Sequence, residues 1–108
     1  MGSAILLFFL QFLQSKSMKE SVEATIEVTN RFGIHVRPAA AVTKTVIQFR
    51  SKVMIICGEK SANARDAVAL AALGAGQGAL LKVRANGPDA AAALRALQKL
   101  FSENFGED

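Results

Sequence analysis

Between Val22 and Thr29 the chain alternates apolar and polar residues without a break. Val22, Ala24, Ile26 and Val28 fall on one side, and Glu23, Thr25, Glu27 and Thr29 on the other. Successive side chains of a strand point to opposite faces, so this run reads as a strand with one dry face and one wet face. Ala79–Ala85 repeats the pattern, with Leu81, Val83 and Ala85 on one face and Lys82 and Arg84 on the other. Strands of this kind build a sheet that is covered on one side only.

The covering layer is legible as well. Ala90, Ala93, Leu94, Leu97, Leu100 and Phe101 recur at helical spacing and form one apolar stripe. Asn86-Gly87-Pro88-Asp89 reads as the turn before that helix, and Ser102–Asp108 as a fraying tail. An earlier helix is expected from Val36 or Arg37 to about Arg50. Pro38 suits its first turn, and Ala39, Val42, Val46 and Phe49 form its inner stripe. A short helix follows Asp66, which fits as its N-cap, and stops at Gly74 in the left-handed conformation. Lys52–Cys57 is a β-rich run, and Lys60–Asn63 returns from it across a Gly58-Glu59 turn as a hairpin. The order is β-α-β-β-α-β-α. Single-faced strands with amphipathic helices imply an α+β open-faced β-sandwich, a four-stranded antiparallel sheet with three helices on one face.

Residues 108 in number and 51% apolar make one domain with a modest core. One cysteine allows no internal disulfide and fits a reducing compartment. One histidine and one cysteine cannot assemble a zinc site of the usual kind, so no metal is expected. The net charge of +4 is spread along the chain, and there is no Trp or Tyr to stack on bases. An acidic protein partner is therefore a better match than nucleic acid. Residues 1–17 differ from the rest: Ala4–Leu13 is apolar except for Gln11. That run is too short to span a bilayer as a helix, which needs about 20 residues. It also lacks the preceding positive charge and the cleavage site of a secretory signal. A weak membrane or signal segment, a segment packed on the domain, and residues upstream of a natural start at Met18 are the three readings, the last of them favoured. The domain itself is assigned to residues 18–108.

The chemistry concentrates in Gly33-Ile34-His35-Val36-Arg37-Pro38-Ala39-Ala40, which holds the only histidine. Neutral imidazole is a nucleophile near neutral pH and can take a phosphoryl group covalently. Its position just ahead of a helix sets the first-turn residues Val36, Pro38 and Ala39 near a bound phosphate, in the field of the helix dipole. Arg37 can add charge-assisted bonds to the same oxygens.

This stretch resembles the active-site signature of the HPr family, the histidine phosphocarriers of the bacterial phosphoenolpyruvate-dependent sugar phosphotransferase system. Asn63-Ala64-Arg65-Asp66, followed by an apolar stretch to Leu73-Gly74, resembles that family's second motif at the matching spacing. The resemblance covers about Val22 to Phe101. It implies that His35 carries phosphate on Nδ1, received from enzyme I and donated to IIA proteins, with Arg37 steadying it. The protein would then be a cytoplasmic co-substrate and not an independent enzyme, monomeric and without a cofactor. The resemblance also implies partner docking by Ala40 and Lys44 of the first long helix with Ala67, Val68 and Ala71 of the short one; core packing is the other reading of those apolar residues. Asp66 stands where many Gram-positive relatives have a kinase-regulated serine, so a serine switch is not expected. Val36 stands where small or hydroxyl residues are common. Two further readings keep the same fold: a nitrogen-branch regulatory phosphocarrier, and a binding module that relays no phosphate.

Three other features carry no chemistry. Gly74–Gly78 follows a helix and precedes a strand, the reverse of the nucleotide-binding order, and reads as a helix stop and turn. Cys57 reads as a small core residue with nothing to activate it. Glu23 and Glu27 read as solvated strand residues.

Overall fold

The structure, a computed structural model, describes residues 20–107. The alternating run becomes β1 (Glu20–Glu27), with Ile26 and the following Val28 buried and Glu23, Thr25 and Glu27 in solvent. It pairs antiparallel with β4 (Leu80–Gly87), Glu20 opposite Gly87 and Glu27 opposite Leu80. The remaining strands are β2 (Lys52–Cys57) and β3 (Lys60–Asn63), and the sheet order is β1-β4-β2-β3, antiparallel throughout. Helices α1 (Val36–Val46), α2 (Ala67–Ala72) and α3 (Ala90–Ser102) complete the predicted order.

The core lies between the helices and the inner sheet face. Val53, Ile55, Leu81, Val83 and Ala85 of the sheet meet Val42, Val46, Leu70, Leu97 and Phe101 of the helices, all buried. Each buried Val, Leu, Ile or Phe side chain of this set stabilises the fold by about 1.5–3 kcal/mol relative to exposure. The outer face carries Glu23, Lys82 and Arg84 beside Met54, Ile56 and Leu80, and Arg84 Nε donates to Glu23 Oε2 at 2.8 Å across the β1–β4 pair. An exposed pair of this kind contributes about 0–1 kcal/mol.

Beyond the shift of the first strand from Val22–Thr29 to Glu20–Glu27, three boundaries differ from the sequence reading. Helix α1 ends at Val46 and not near Arg50. Its last bonds tighten from Ile47 N–H to Thr43 O into Gln48 N–H to Thr45 O and Phe49 N–H to Val46 O. The next two amides, Arg50 and Ser51, then donate to the Asp89 carboxylate, which turns the chain off the helix axis into β2. Phe49 still packs against the core. Asn86 and Gly87 extend β4, because Asn86 pairs with both Ser21 and Lys52, and the turn shrinks to Pro88-Asp89.

The third difference is the tail. Residues after α3 form a tight turn over Asn104–Gly106, with Asn104 at φ 51° and Phe105 at φ 58°, both left-handed. Phe105 packs edge-on against Phe101 with ring centroids 4.7 Å apart, and Thr29 Oγ1 donates to Asn104 Oδ1 at 2.6 Å. An aromatic contact and long-range hydrogen bonds hold this segment, so it is not a frayed end. Asp108, and residues 1–17 with their three readings, lie outside the described residues.

Candidate functional site

The loop between β1 and α1 is fastened before it reaches the histidine. Val28 N–H donates to Ala79 O at 2.8 Å, and Gly78 N–H returns to Val28 O at 2.7 Å. Ile34 N–H donates to Ala75 O at 2.8 Å, which ties the residue before His35 to the loop after α2. Gly33 lies at φ 70° against that loop, where a Cβ would run into the Ala75 carbonyl and sit 2.8 Å from Gly76 Cα. Only glycine fits a left-handed position with backbone this close.

His35 is the N-cap residue of α1, with extended backbone, and its side chain makes no capping bond. Its ring is 37% exposed. Phe32 approaches it edge-on at 6.4 Å between centroids. The amides of Val36 and Arg37 precede the first intrahelical donor, the Ala39 N–H, so they are the first-turn donors available to an anion. Pro38 has no N–H, and the Ala39 amide already donates to His35 O at 2.9 Å. Pro38 and Ala39 therefore anchor the helix start from the core, both being buried, while Val36 and Arg37 face solvent.

Two residues complete the site that the sequence reading did not include. Glu107 Oε2 lies 3.0 Å from His35 Nε2, and Asn30 Nδ2 donates to Glu107 Oε1 at 3.2 Å. Asn30 is itself almost fully buried and also donates to Gly33 O at 2.7 Å. An ionised carboxylate can only accept, so Nε2 carries the proton, and in the neutral ring the lone pair is on Nδ1. No local pattern marks Glu107, which reaches the site from 72 residues away. For Asn30, the available signal was an amide residue directly after a core strand.

Arg31, Phe32, Arg37, Gly106 and Glu107 line a hollow of about 340 Å³ beside the histidine. The Arg31 guanidinium rests over the Phe32 ring at 5.5 Å. The two guanidiniums outnumber the single Glu107 carboxylate in this lining, which gives the hollow the character of an anion site. The second motif sits on α2, which packs against α1. Asp66 caps α2, its Oδ1 accepting from Ala69 N–H at 3.0 Å. Val68 is 81% exposed, Ala40 and Lys44 are exposed, and Ala67 and Ala71 are half-buried against the core. Among the described residues no cluster of three metal-ligating side chains occurs, and no helix is long and apolar enough to cross a membrane.

The family model for the PTS HPr component phosphorylation site matches residues 22–103. Phosphocarrier protein HPr of Treponema pallidum is 38% identical over 87 residues, 81% of this chain and 99% of the relative. Phosphocarrier protein NPr of Escherichia coli is 35% identical over 89 residues, 82% of this chain and 99% of the relative. The crystal structure of an HPr from Thermoanaerobacter tengcongensis superposes with a TM-score of 0.77 at 37% identity, covering 81% of this chain and 98% of that one.

Proposed function

The chain belongs to the HPr family of phosphocarrier proteins, and on that premise we propose that His35 accepts a phosphoryl group from phospho-enzyme I on Nδ1 and passes it to IIA proteins. The observation that carries this reading is the 3.0 Å contact between His35 Nε2 and Glu107 Oε2 on a ring still 37% exposed. It leaves Nδ1 as the nucleophilic nitrogen. Arg37 steadies the phosphate, with the Val36 and Arg37 amides as further donors. Phosphoryl transfer relies mainly on positioning and charge, so these few groups suffice.

The protein acts in the cytoplasm as a monomeric co-substrate, its histidine site built within one chain and using no cofactor. Exposed Val68, Ala40 and Lys44, with the half-buried Ala67 and Ala71, form the face that docks both partners. Asp66 works as a helix cap, so the protein lacks a serine switch at that position. A nitrogen-branch role is the second reading, favoured by the match to NPr.

The test is incubation with phosphoenolpyruvate and enzyme I, read by intact mass and acid lability. An acid-labile phosphate appears on the wild type and is absent from His35→Ala. Its persistence in that variant, or its absence from the wild type, overturns the carrier reading. Onward transfer to sugar-branch and nitrogen-branch IIA proteins then assigns the branch.

A further inference from the structure

The carboxylate facing His35 has a consequence for the phosphorylated state. We propose that Glu107 is a positioning residue that serves as counter-charge to the His35 ring once Nδ1 is phosphorylated; this rests on the carrier reading above. In the transfer, the Nδ1 lone pair attacks the phosphorus carried by phospho-enzyme I. The bond from phosphorus to the donor atom breaks and its electron pair stays on that atom. His35 Nε2 keeps its proton throughout, so the ring passes from neutral imidazole to a phosphorylated imidazolium. That positive charge appears 3.0 Å from Glu107 Oε2, and the hydrogen bond already present becomes charge-assisted on both sides.

The carboxylate is held for this task. Its side chain is only 18% exposed. Asn30 Nδ2 fixes Oε1, and Asn30 is in turn fixed by Gly33 O. The reversed Asn30 amide would set Oδ1 against two acceptors, so this orientation is the one the network permits. Phe105 on Phe101 and Asn104 with Thr29 secure the backbone just before Glu107. The arrangement resembles an orienting carboxylate behind a catalytic histidine, which stabilises the charged ring without itself taking the proton. It shifts the phosphoryl equilibrium toward His35.

The test compares wild type with Glu107→Gln. The glutamine oxygen can accept from Asn30 or from His35 but not from both, and it brings no charge. The first measurement is the phosphorylated fraction at equilibrium with enzyme I and fixed phosphoenolpyruvate and pyruvate. The equilibrium constant for His35 phosphorylation is expected to fall about five- to tenfold, a charged hydrogen bond discounted for partial exposure. The second is the His35 Nε2–H proton resonance, expected to be sheltered from water exchange in wild type and lost in the variant. A thermal melt accompanies both, because a merely structural role for Glu107 would move the melt and leave the equilibrium constant alone. If wild type takes no phosphate on His35, the carrier reading fails and takes this inference with it. If wild type is phosphorylated and Glu107→Gln reaches the same equilibrium level, this inference alone is overturned.

Discussion

Ser51 Oγ donates to Asp89 Oδ1 at 2.6 Å, and the Asp89 backbone N–H donates back to Ser51 Oγ at 3.2 Å. Ser51 is fully buried, and Gly87 approaches it so closely that a Cβ there would lie 2.6 Å from Ser51 Cα. With the Arg50 and Ser51 amides donating to the same carboxylate, Asp89 joins the end of α1 to the start of α3.

These bonds give the fold an acid-sensitive joint. The Ser51 hydroxyl first, then the Arg50 amide, hold the Asp89 carboxyl below its ordinary value of 3.8. The folded state then binds fewer protons than the unfolded one, so this contribution is complete above the ordinary value and disappears as pH falls through the lowered one. Asp89→Asn should have a lower urea midpoint than wild type at about pH 6, with the gap closing toward about pH 3. A gap of constant size across that range would contradict the assignment.

Gly33→Ala should cost about 2–4 kcal/mol, combining left-handed strain with backbone overlap on Ala75 and Gly76. Gly58, also at positive φ but with open space around its Cβ position, should cost only about 1–2 kcal/mol on the same change. Chemical denaturation of the two variants side by side measures the difference. Equal losses would mean that the loop can move aside.

Asp66→Ala should lose about 1 kcal/mol through the missing cap on the Ala69 amide, and Asp66→Ser should keep most of it. Helix α2 has only six residues, so the loss falls on an element with little stability of its own. Thermal melts of the three proteins give the ranking.

Val68 makes its prediction by being exposed. Val68→Asp should leave stability within about 0.5 kcal/mol, since little is packed against the side chain. The same change should raise the KM for phosphoryl transfer from enzyme I about tenfold, the scale of a central interface contact. An unchanged KM would remove Val68 from the docking face.

The layers were legible because strand and helix periodicity act locally. The alternation from Val22 to Val28 and the stripe from Ala90 to Phe101 each survive folding with their apolar sides inward. His35 was legible as a residue ahead of a helix, and Asp66 as a cap, for the same reason. What escaped is long-range. The residues Ile47–Arg50 look helical in isolation, and only the Asp89 carboxylate, far along the chain, draws Arg50 and Ser51 out of the helix. The tail is short and polar and has no period, so nothing in it announces that Phe105 will find Phe101 and Glu107 will find His35.

The β1–β4 register gives the molecule two poles. Glu20 and Gly87 pair at one, near Ser51 and Asp89; Glu27 and Leu80 pair at the other, from which the chain leads into the His35 loop. For surface immobilisation or dye labelling, this polarity decides where a linker belongs. Lys52 and Asn86, exposed and opposite one another at the first pole, offer handles away from the histidine. A linker joined at the C-terminal segment would instead begin beside Glu107, crowding the His35 ring.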